Sequence, residues 1–569
     1  MSSPLTLAPW LTRYNRRDFS NDLLAGLTVA VMLVPQGMAY AMLAGMPPVT
    51  GLYASTLPLV AYALIGSSRA LAVGPVAIIS LLTMAGVAPL ARPGTADFIA
   101  LAGILAIMVG ILQLVLGLLR GGVLVAFLSH AVVSGFTSAA ALVIALSQLH
   151  HLLGFSLASK DPIPILLEVF QRLGEVHSPT LLLGLSSLFL LLAGRRWWPR
   201  LPMPLMVVFL GTLTVAFLGL DQEGVKIVGE VPAGLPRPAL PRAPSEAIWA
   251  LFPAALTIAF IGFLESIAVA RSLAARESER VDANRELVGL GFANLVAGCL
   301  TAFPVTGGFS RSAVNYQAGA RSGLASVVTA ILVMVTLMAL TPLFYHLPQA
   351  ILASLVMAAV VGLVDLHEPL RLWRVRPADA LSLGITFLAT FLLGVETGIL
   401  VGVAFSLAIF LWRSAFPHVA VMGRIARSEA SGDCGVWRNV LRHPQARPHP
   451  RLVVLRPDSS LYFANATWLR DVVERALTER EEVRGLVIDL SAVNDVDAIA
   501  LESLEELMHE LDLQGQEVHL AAMKGPVADV AARAGWRERY ADRAYHLTLD
   551  RAVAAAEAAL ARREARRKT

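Results

Sequence analysis

The apolar residues of this chain lie in long uninterrupted runs. No charged residue stands between Asp22 and Arg69, and none stands between Arg69 and Arg92. A helix of about 20 apolar residues crosses the hydrocarbon core of a bilayer, so the first run alone is long enough for two crossings. The pattern predicts an α-helical polytopic membrane protein.

The runs predict about fourteen spans, some of them short. With the amino end in the cytoplasm, most arginines between spans fall on the cytoplasmic side, as the positive-inside rule requires. Only the long outer loops, near Lys160 and at 226–242, carry several basic residues, and long loops are weak determinants. We therefore expect a bacterial inner-membrane protein with both termini cytoplasmic. The expected spans are residues 22–44, 49–68, 71–90, 97–119, 122–149, 179–194, 202–220, 247–270, 285–300, 306–320, 323–345, 348–364, 378–394 and 397–415.

Composition supports this assignment and divides the chain. The 569 residues are 56% hydrophobic and only 15% charged, whereas about a quarter are charged in a soluble protein. Because the charged fraction rises sharply after Arg413, we expect a membrane domain at 1–415, a linker at 416–450 and a cytosolic domain at 451–569 with a basic C-terminal tail. Basic cytoplasmic loops account for the net charge of +4, so no nucleic-acid partner is implied.

Two breaks interrupt the apolar runs in corresponding halves of the membrane domain. Residues 72–80 read AVGPVAIIS and residues 304–315 read PVTGGFSRSAVN. A helix that begins inside the bilayer leaves its first N–H groups unpaired, so its N-terminus attracts an anion. Each break falls in the third span of a seven-span half. A repeat of seven spans must be inverted, which points the two half-helix N-termini at each other near the midplane. The alternative is that each break is only a kink.

Two ionisable residues lie within apolar spans. Arg311 is predicted to place a fixed positive charge beside the anion; the alternatives are a structural pair with a carboxylate or snorkelling to an interface. Burial of Glu265 favours its protonated acid, the property that a proton carrier needs. A salt bridge with Arg271 at the interface is the alternative for Glu265. Ser310 and Ser312 are candidates to donate to the anion or to cap the half-helix.

The first span contains a polar pair. Gln36 follows Pro35, and Tyr40 lies four residues on, hence on the same helix face. An amide and an aromatic ring there would line a pocket, and a helix-packing contact is the alternative. His130 is expected to be interfacial rather than catalytic.

These motifs resemble the SulP (sulfate permease) family of anion transporters. The likeness lies in VPQGMAYA at 34–41, VGPVAIIS at 73–80, FLSHAVVSGFTS at 127–138, ESIA at 265–268, NRELVGLGFAN at 284–294 and the break at 304–315. It implies fourteen spans in a seven-plus-seven inverted repeat, with a core bundle moving against a gate bundle, in a homodimer. The substrate-binding residues that it implies are Gln36, Tyr40, Gly74, Pro75, Val76, Gly308, Phe309, Ser310 and Arg311.

Two departures from the family pattern bear on the substrate. Many relatives carry an aromatic residue at the position of Val76, so the pocket is expected to be wider or differently shaped here. Sodium-coupled bicarbonate members use an aspartate and a threonine at the positions of Glu265 and Val269. Because valine lacks the hydroxyl oxygen that a hard cation prefers, proton coupling is favoured over sodium coupling.

The carboxyl-terminal region has the alternating order of an α/β domain. Apolar runs at 451–456 and 483–490 predict buried strands, and 517–522 a further strand. Helical patterns start near Asn465 and cover 498–513 and 527–535. Asn465 is interpreted as the cap of the first helix, and Asp495 and Asp497 are interpreted as capping residues at the start of the second. This order resembles a STAS domain, which normally follows the SulP membrane domain. The serine that is phosphorylated in anti-sigma-factor antagonists is replaced by Ala498.

These observations predict a secondary active transporter of a small anion that works by alternating access with proton symport. Sulfate, bicarbonate and a short dicarboxylate such as fumarate or succinate all suit the site. The absence of a sodium-type site and the small Val76 favour a dicarboxylate or another organic anion. The alternatives are an uncoupled exchanger or channel, a nucleobase transporter, and a membrane receptor whose output is the STAS domain. No nucleotide-binding loop, metal cluster or nucleophile–base pair is evident, so neither enzyme activity nor a cofactor is expected. The expected partners are the anion, a proton, the lipid bilayer and a cytosolic regulator at the STAS domain.

Overall fold

The computed structural model describes residues 8, 10, 14–122, 129–157, 159, 162–198, 201–274, 281–425, 435–480 and 482–568. Lys160 and residues 123–128 of the expected fifth span lie outside these ranges. The chain divides into two compact units, Met1–Ser406 and Leu407–Thr569.

The first unit is helical. In its described residues the helices are α1 (Arg16–Leu43), α2 (Pro48–Tyr53), α3 (Leu57–Ile65), α4 (Ala77–Val87), α5 (Ala96–Leu118), α6 (His130–Ser147), α7 (Leu149–Leu153), α8 (Pro162–Gln171), α9 (Ser178–Trp197), α10 (Met203–Leu218), α11 (Ser245–Ala274), α12 (Ala283–Cys299), α13 (Phe309–Gln317), α14 (Leu324–Val335), α15 (Gln349–Val361), α16 (His367–Val375), α17 (Pro377–Leu393) and α18 (Val395–Ala415), which runs into the second unit. Two short strands, β1 (Val73–Gly74) and β2 (Thr306–Gly307), precede α4 and α13.

Eight helical segments of the described chain are long and apolar enough to cross a membrane, and five further apolar helices are shorter. The short ones include α4, which starts inside an apolar run as the sequence pattern predicts. The count of fourteen spans stays a prediction.

The first two spans meet at backbone contact distance. A Cβ atom on Gly51 of α2 would stand 1.9 Å from the carbonyl oxygen of Gly37 on α1. Any side chain at Gly51 would therefore force the helices apart. This contact fixes the position of the α1 segment that carries Gln36 and Tyr40.

Two buried carboxylates hold the loops that lead into and out of the broken helices. Glu286, on the first turn of α12, accepts hydrogen bonds from the Tyr62 hydroxyl at 2.6 Å and from the Ser67 and Ser68 backbone N–H groups at 2.7 and 3.0 Å. Asp22, on α1, accepts from the Ser322 hydroxyl at 2.5 Å and from the backbone ahead of α14. Both carboxylates are fully buried. A buried carboxylate is stable only when hydrogen-bond donors surround it. Glu286 and Asp22 take these donors from the loops, and so each carboxylate ties a loop to the helix that carries it.

The second unit is built on a six-stranded sheet. Its strands are β3 (Val419–Arg424), β4 (Trp437–Asn439), β5 (Arg447–Pro448), β6 (Leu452–Pro457), β7 (Gly485–Asp489) and β8 (Glu517–Ala521), in the order β4-β3-β6-β7-β8 with β5 beside β3. Strands β6, β7 and β8 are parallel, and β3 is antiparallel to β6.

The helices of the second unit are α19 (Phe463–Thr478), α20 (Ala498–Leu513), α21 (Gly525–Arg533), α22 (Trp536–Arg539), α23 (Ala541–Ala544) and α24 (Leu549–Lys568). Parallel strands must be covered on both faces. Helices α19 and α20 cover one face, and α24 covers the other.

Three expectations for this unit need correction. The expected linker at 416–450 instead contributes β3, β4 and β5 to the sheet. The expected basic tail is largely helix α24, whose buried residues Ala552, Ala556 and Leu560 pack against the sheet. The N-cap of α19 is Tyr462, and Asn465 accepts a hydrogen bond from the Tyr462 N–H at 3.0 Å instead. Asp497 caps α20 as expected, accepting from the Ala500 N–H at 2.7 Å.

A histidine pair lies where α24 meets the edge strand β8. His519 Nδ1 is 2.9 Å from His546 Nε2, and His519 Nε2 is 3.2 Å from Glu517 Oε1. The other charged groups that face this pair are Arg543 and Arg563, which approach Glu517 at 3.5 and 2.9 Å, together with Asp512 and Asp542. Burial, and then the neighbouring His519, lower the pKa of His546 below its usual 6.5.

We therefore expect acid to weaken this part of the unit. Because the folded state disfavours protonation of His546, the unfolded chain binds a proton first as the pH falls below about 6.5, and stability is lost from that point downward. Hydrogen exchange of peptides covering β8 and α24, corrected for intrinsic rates, should lose protection between pH 7.5 and 5.5. His546→Gln should flatten this dependence, and His509→Gln, at an exposed position of α20, should leave it unchanged. Equal pH dependence in both variants would contradict the assignment.

Candidate anion-binding site

The two breaks of the sequence meet in the structure. Strands β1 and β2 pair antiparallel, with Val73 opposite Gly307 and Gly74 opposite Thr306. The Gly308 N–H donates to the Ala72 carbonyl at 3.2 Å. Helix α4 begins directly after β1 and helix α13 directly after β2, so their N-termini lie beside each other.

Within the described ranges, no side chain caps the N-terminus of either half-helix. The N-cap residues are Val76 for α4 and Gly308 for α13, both in extended conformation. The Val76 Cγ2 atom would stand 3.3 Å from a Cβ on Gly308, which places the two helix ends in direct proximity. The first N–H groups of both helices are thus left for another partner, and an anion suits their positive end.

Arg311 lies between the two breaks. Its side chain is 2% exposed, and Nη1 donates to the Pro75 carbonyl at 2.6 Å. Its Nη2 would stand 3.0 Å from a Cβ on Gly308 and 3.3 Å from one on Gly74, so glycine at both positions makes room for the guanidinium. Nε and Nη2 are buried and have no hydrogen-bond partner among the described residues. This geometry matches neither snorkelling to an interface nor a structural pair with a carboxylate.

Glu265 lies on α11 beside the second break. Its Oε2 atom is buried and has no hydrogen-bond partner in the described part of the chain. Glu265 interacts electrostatically with Arg311 and Tyr40, whereas Arg271, the alternative partner, is exposed at the end of α11. The carboxyl group therefore belongs to the surroundings of Arg311.

Gln36 and Tyr40 lie on α1, which packs against both half-helices. Each is 7% exposed, and Gln36 Oε1 is buried without a partner within the described ranges. Ser80 Oγ on α4 is unpaired in the same way. Buried polar atoms without partners are rare in folded proteins, and several on neighbouring elements indicate a ligand.

The two serines of α13 have different environments. Ser312 is buried, accepts from the Ala72 N–H at 2.9 Å and donates to the Gly308 carbonyl at 2.7 Å, so its role is structural. Ser310 and Phe309 are exposed, the latter by 58%, so the first turn of α13 presents one side to open space. The exposed ring of His130 lies beside α16, with Nε2 3.7 Å from Glu368 Oε1.

A polar network that sequence reasoning missed holds β2 in place. Ser266, next to Glu265, accepts from the Gly307 N–H at 2.8 Å and lies 2.7 Å from the Thr306 hydroxyl, which donates to the Gly262 carbonyl at 2.6 Å. Asn294 accepts from the Val305 N–H at 2.7 Å and donates to Gln113 Oε1 at 3.0 Å. The sequence feature that could have indicated this network is the presence of small polar residues and amides within apolar spans. The network connects α11, α12 and α5 to the start of α13.

Comparison with known proteins identifies the relatives of this chain. Residues 19–386 match the sulfate permease family, and residues 443–552 match the STAS domain. The chain is 39% identical to the chloroplastic sulfate transporter 4.1 of Arabidopsis thaliana, over 93% of this chain and 79% of that protein. It is 36% identical to a probable sulfate transporter of Mycobacterium tuberculosis, over 98% and 99% of the two chains.

The fold also matches a solved structure. Murine solute carrier 26 family member A9, an anion transporter in its inward-facing state, superposes with a TM-score of 0.88 at 25% identity, covering 96% of this chain and 93% of that one. The match extends over the helical membrane unit and the sheet of the second unit alike. This chain therefore belongs to the sulfate permease family of anion transporters, with a carboxyl-terminal STAS domain.

Proposed function

We propose that this chain is a proton-coupled sulfate transporter that works by alternating access. The observation that carries the proposal is the buried guanidinium of Arg311, whose Nε and Nη2 atoms lie beside the N-termini of α4 and α13 and have no hydrogen-bond partner in the part of the chain that the structure describes. A buried guanidinium whose N–H groups lack hydrogen-bond acceptors is costly, and an anion between the helix ends would supply those acceptors together with a negative charge.

Sulfate is the first candidate substrate, because relatives that are 39% and 36% identical to this chain are named as sulfate transporters or probable sulfate transporters. A tetrahedral dianion presents oxygens in several directions, which suits donors that come from two helix ends and one guanidinium. The second candidate is a short dicarboxylate such as fumarate or succinate. The feature that favours it is Val76 at the N-cap of α4, because valine is smaller than the aromatic residue that the family pattern leads one to expect there.

We infer proton coupling because the charge of Glu265 affects how strongly Arg311 attracts the anion. An ionised carboxylate near Arg311 would compete with the substrate for the cation and repel a dianion. Protonation of Glu265 removes both effects, so sulfate and a proton bind together more readily than either alone. This reciprocity is the thermodynamic basis of symport.

The membrane location, the oligomeric state and the role of the STAS domain are proposed from the family resemblance. We propose that the protein lies in the inner membrane of a bacterial cell with both termini in the cytoplasm and works as a homodimer, with the STAS domain as the element that a cytosolic regulator would contact. An exchanger or channel would use the same site without net proton movement. A receptor would bind sulfate without transporting it.

Uptake into proteoliposomes tests the proposal. Labelled sulfate, succinate, fumarate and bicarbonate are offered with and without an inward proton gradient. We expect sulfate to accumulate above its external concentration only when the gradient is present. Equilibration that ignores the gradient would indicate an exchanger or channel, accumulation of succinate alone would select the dicarboxylate, and binding without flux would favour the receptor.

A further inference from the structure

Helix α16 is a short helix between two longer apolar ones. It follows α15 after a turn in which Asp365 accepts from the His367 and Glu368 N–H groups at 2.9 and 3.1 Å, which fixes its start. It ends at Val375; the backbone is extended at Arg376, and α17 begins at Pro377. At nine residues it is too short to cross a bilayer, so it is a connecting helix near the membrane surface.

The two faces of α16 differ sharply. Glu368 is buried, and Leu372 is half-buried against the protein. Leu366, Leu370 and Trp373, at positions i, i+4 and i+7, form the opposite face and are 73%, 63% and 64% exposed. Water is a poor solvent for such a stripe, and a helix with this pattern typically lies in the interface of a bilayer.

Arginines flank the apolar stripe. Arg371 is neutralised by Glu368, to which it donates two hydrogen bonds of 2.6 and 2.8 Å. Arg374 and Arg376 are exposed, and within the described ranges neither forms an ion pair. Their charges are therefore available to an external anion.

The end of α9 adds to this basic region. A Cβ atom on Gly362, at the C-terminus of α15, would stand 3.0 Å from Arg195 Nη1. Gly362 is four residues before Leu366, so the end of α9 lies beside the segment that leads into α16. Arg196 is exposed there, and Trp197 and Trp198 are 63% and 54% exposed.

We propose that these residues form a binding site for anionic phospholipid. We define the α9–α16 surface as Arg195, Arg196, Trp197, Trp198, Leu366, Leu370, Trp373, Arg374 and Arg376. The arginines pair with the headgroup phosphate, the tryptophans lie at the level of the headgroups, and the acyl chains cover the apolar stripe. A free phosphate would satisfy the arginines and leave the stripe in water, so a ligand that joins an anion to an apolar body fits both features.

Lipid retention tests this site independently of anion transport. The full-length protein is purified from membranes that contain equal amounts of phosphatidylglycerol and phosphatidylcholine, and retained lipid is measured by native mass spectrometry. We expect about tenfold enrichment of phosphatidylglycerol for the wild type, close to equal retention for R195Q/R374Q/R376Q, and wild-type enrichment for the charge-matched control R237Q/R242Q/R271Q. Enrichment that persists in the first triple variant would overturn the proposal.

Trp373→Ala keeps every charge and tests the apolar half of the site. It should lower phosphatidylglycerol retention severalfold while sulfate binding stays unchanged. A conversion from dimer to monomer with unchanged lipid retention would instead identify the stripe as an interface between two copies of this chain and overturn the lipid assignment. Full competition by inorganic phosphate alone would also overturn it, since the acyl chains would then contribute nothing.

Discussion

Arg311→Ala is expected to weaken sulfate binding by about 10- to 100-fold while the protein stays folded. The loss follows from removing the charged donors Nε and Nη2, since a hydrogen bond to a charged group contributes about 1.5–3 kcal/mol. Stability should change little, because the buried guanidinium is only partly paired and its removal leaves one acceptor, the Pro75 carbonyl, without its donor. Calorimetric titration with sulfate, together with thermal unfolding, separates the two effects.

Two further variants sharpen this test. Arg311→Lys keeps the charge but loses the planar fork, so it should recover part of the affinity. Arg271→Ala removes an exposed arginine from the end of α11 and should bind sulfate like the wild type. An unchanged dissociation constant in Arg311→Ala would remove this residue from the site.

Glu265→Gln is expected to abolish accumulation driven by the proton gradient and to leave sulfate exchange across the membrane intact. Glutamine keeps the size and polarity of the protonated acid but cannot release a proton, so the variant is held in the state that accepts the anion. With an inward gradient of one pH unit, one proton carried per sulfate and the membrane potential clamped at zero, wild-type proteoliposomes should concentrate sulfate up to about tenfold, and the variant should reach a ratio of about one.

The matched control is Glu246→Gln, an exposed carboxylate in the first turn of the same helix. It should accumulate sulfate as the wild type does. Gradient-driven accumulation that survives in Glu265→Gln would move proton coupling to another group. Loss of exchange as well as accumulation would show that Glu265 is needed for binding rather than for coupling.

The sequence predicts the broken helices well because glycine and proline mark them directly. It does not predict that Val73 and Gly74 pair with Gly307 and Thr306, since strands of two residues have no periodicity to detect. Asn294 and Gln113 were missed for a different reason. Each looks like an isolated amide in an apolar span, and only the packing of α5 against α12 brings them together.

The second unit shows how composition misleads near charged segments. Strand β3 lies in a stretch that reads as polar overall, yet Ala420 and Met422 are buried on alternate positions. In α24 the arginines dominate the composition and hide the stripe of Ala552, Ala556 and Leu560. Both errors come from averaging over residues whose side chains point in opposite directions.

The pairing of β1 with β2 has a consequence for biogenesis. Arg311 and the Pro75 carbonyl that it contacts are 236 residues apart, so ribosomes must synthesise most of the membrane unit before the partners of β1 exist. Until then the start of α4 has neither a side-chain cap nor a strand beside it, and unpaired backbone groups are costly in lipid. We therefore expect the first half to remain incompletely assembled during translation, and to depend on translocon or chaperone contacts until the second half is inserted.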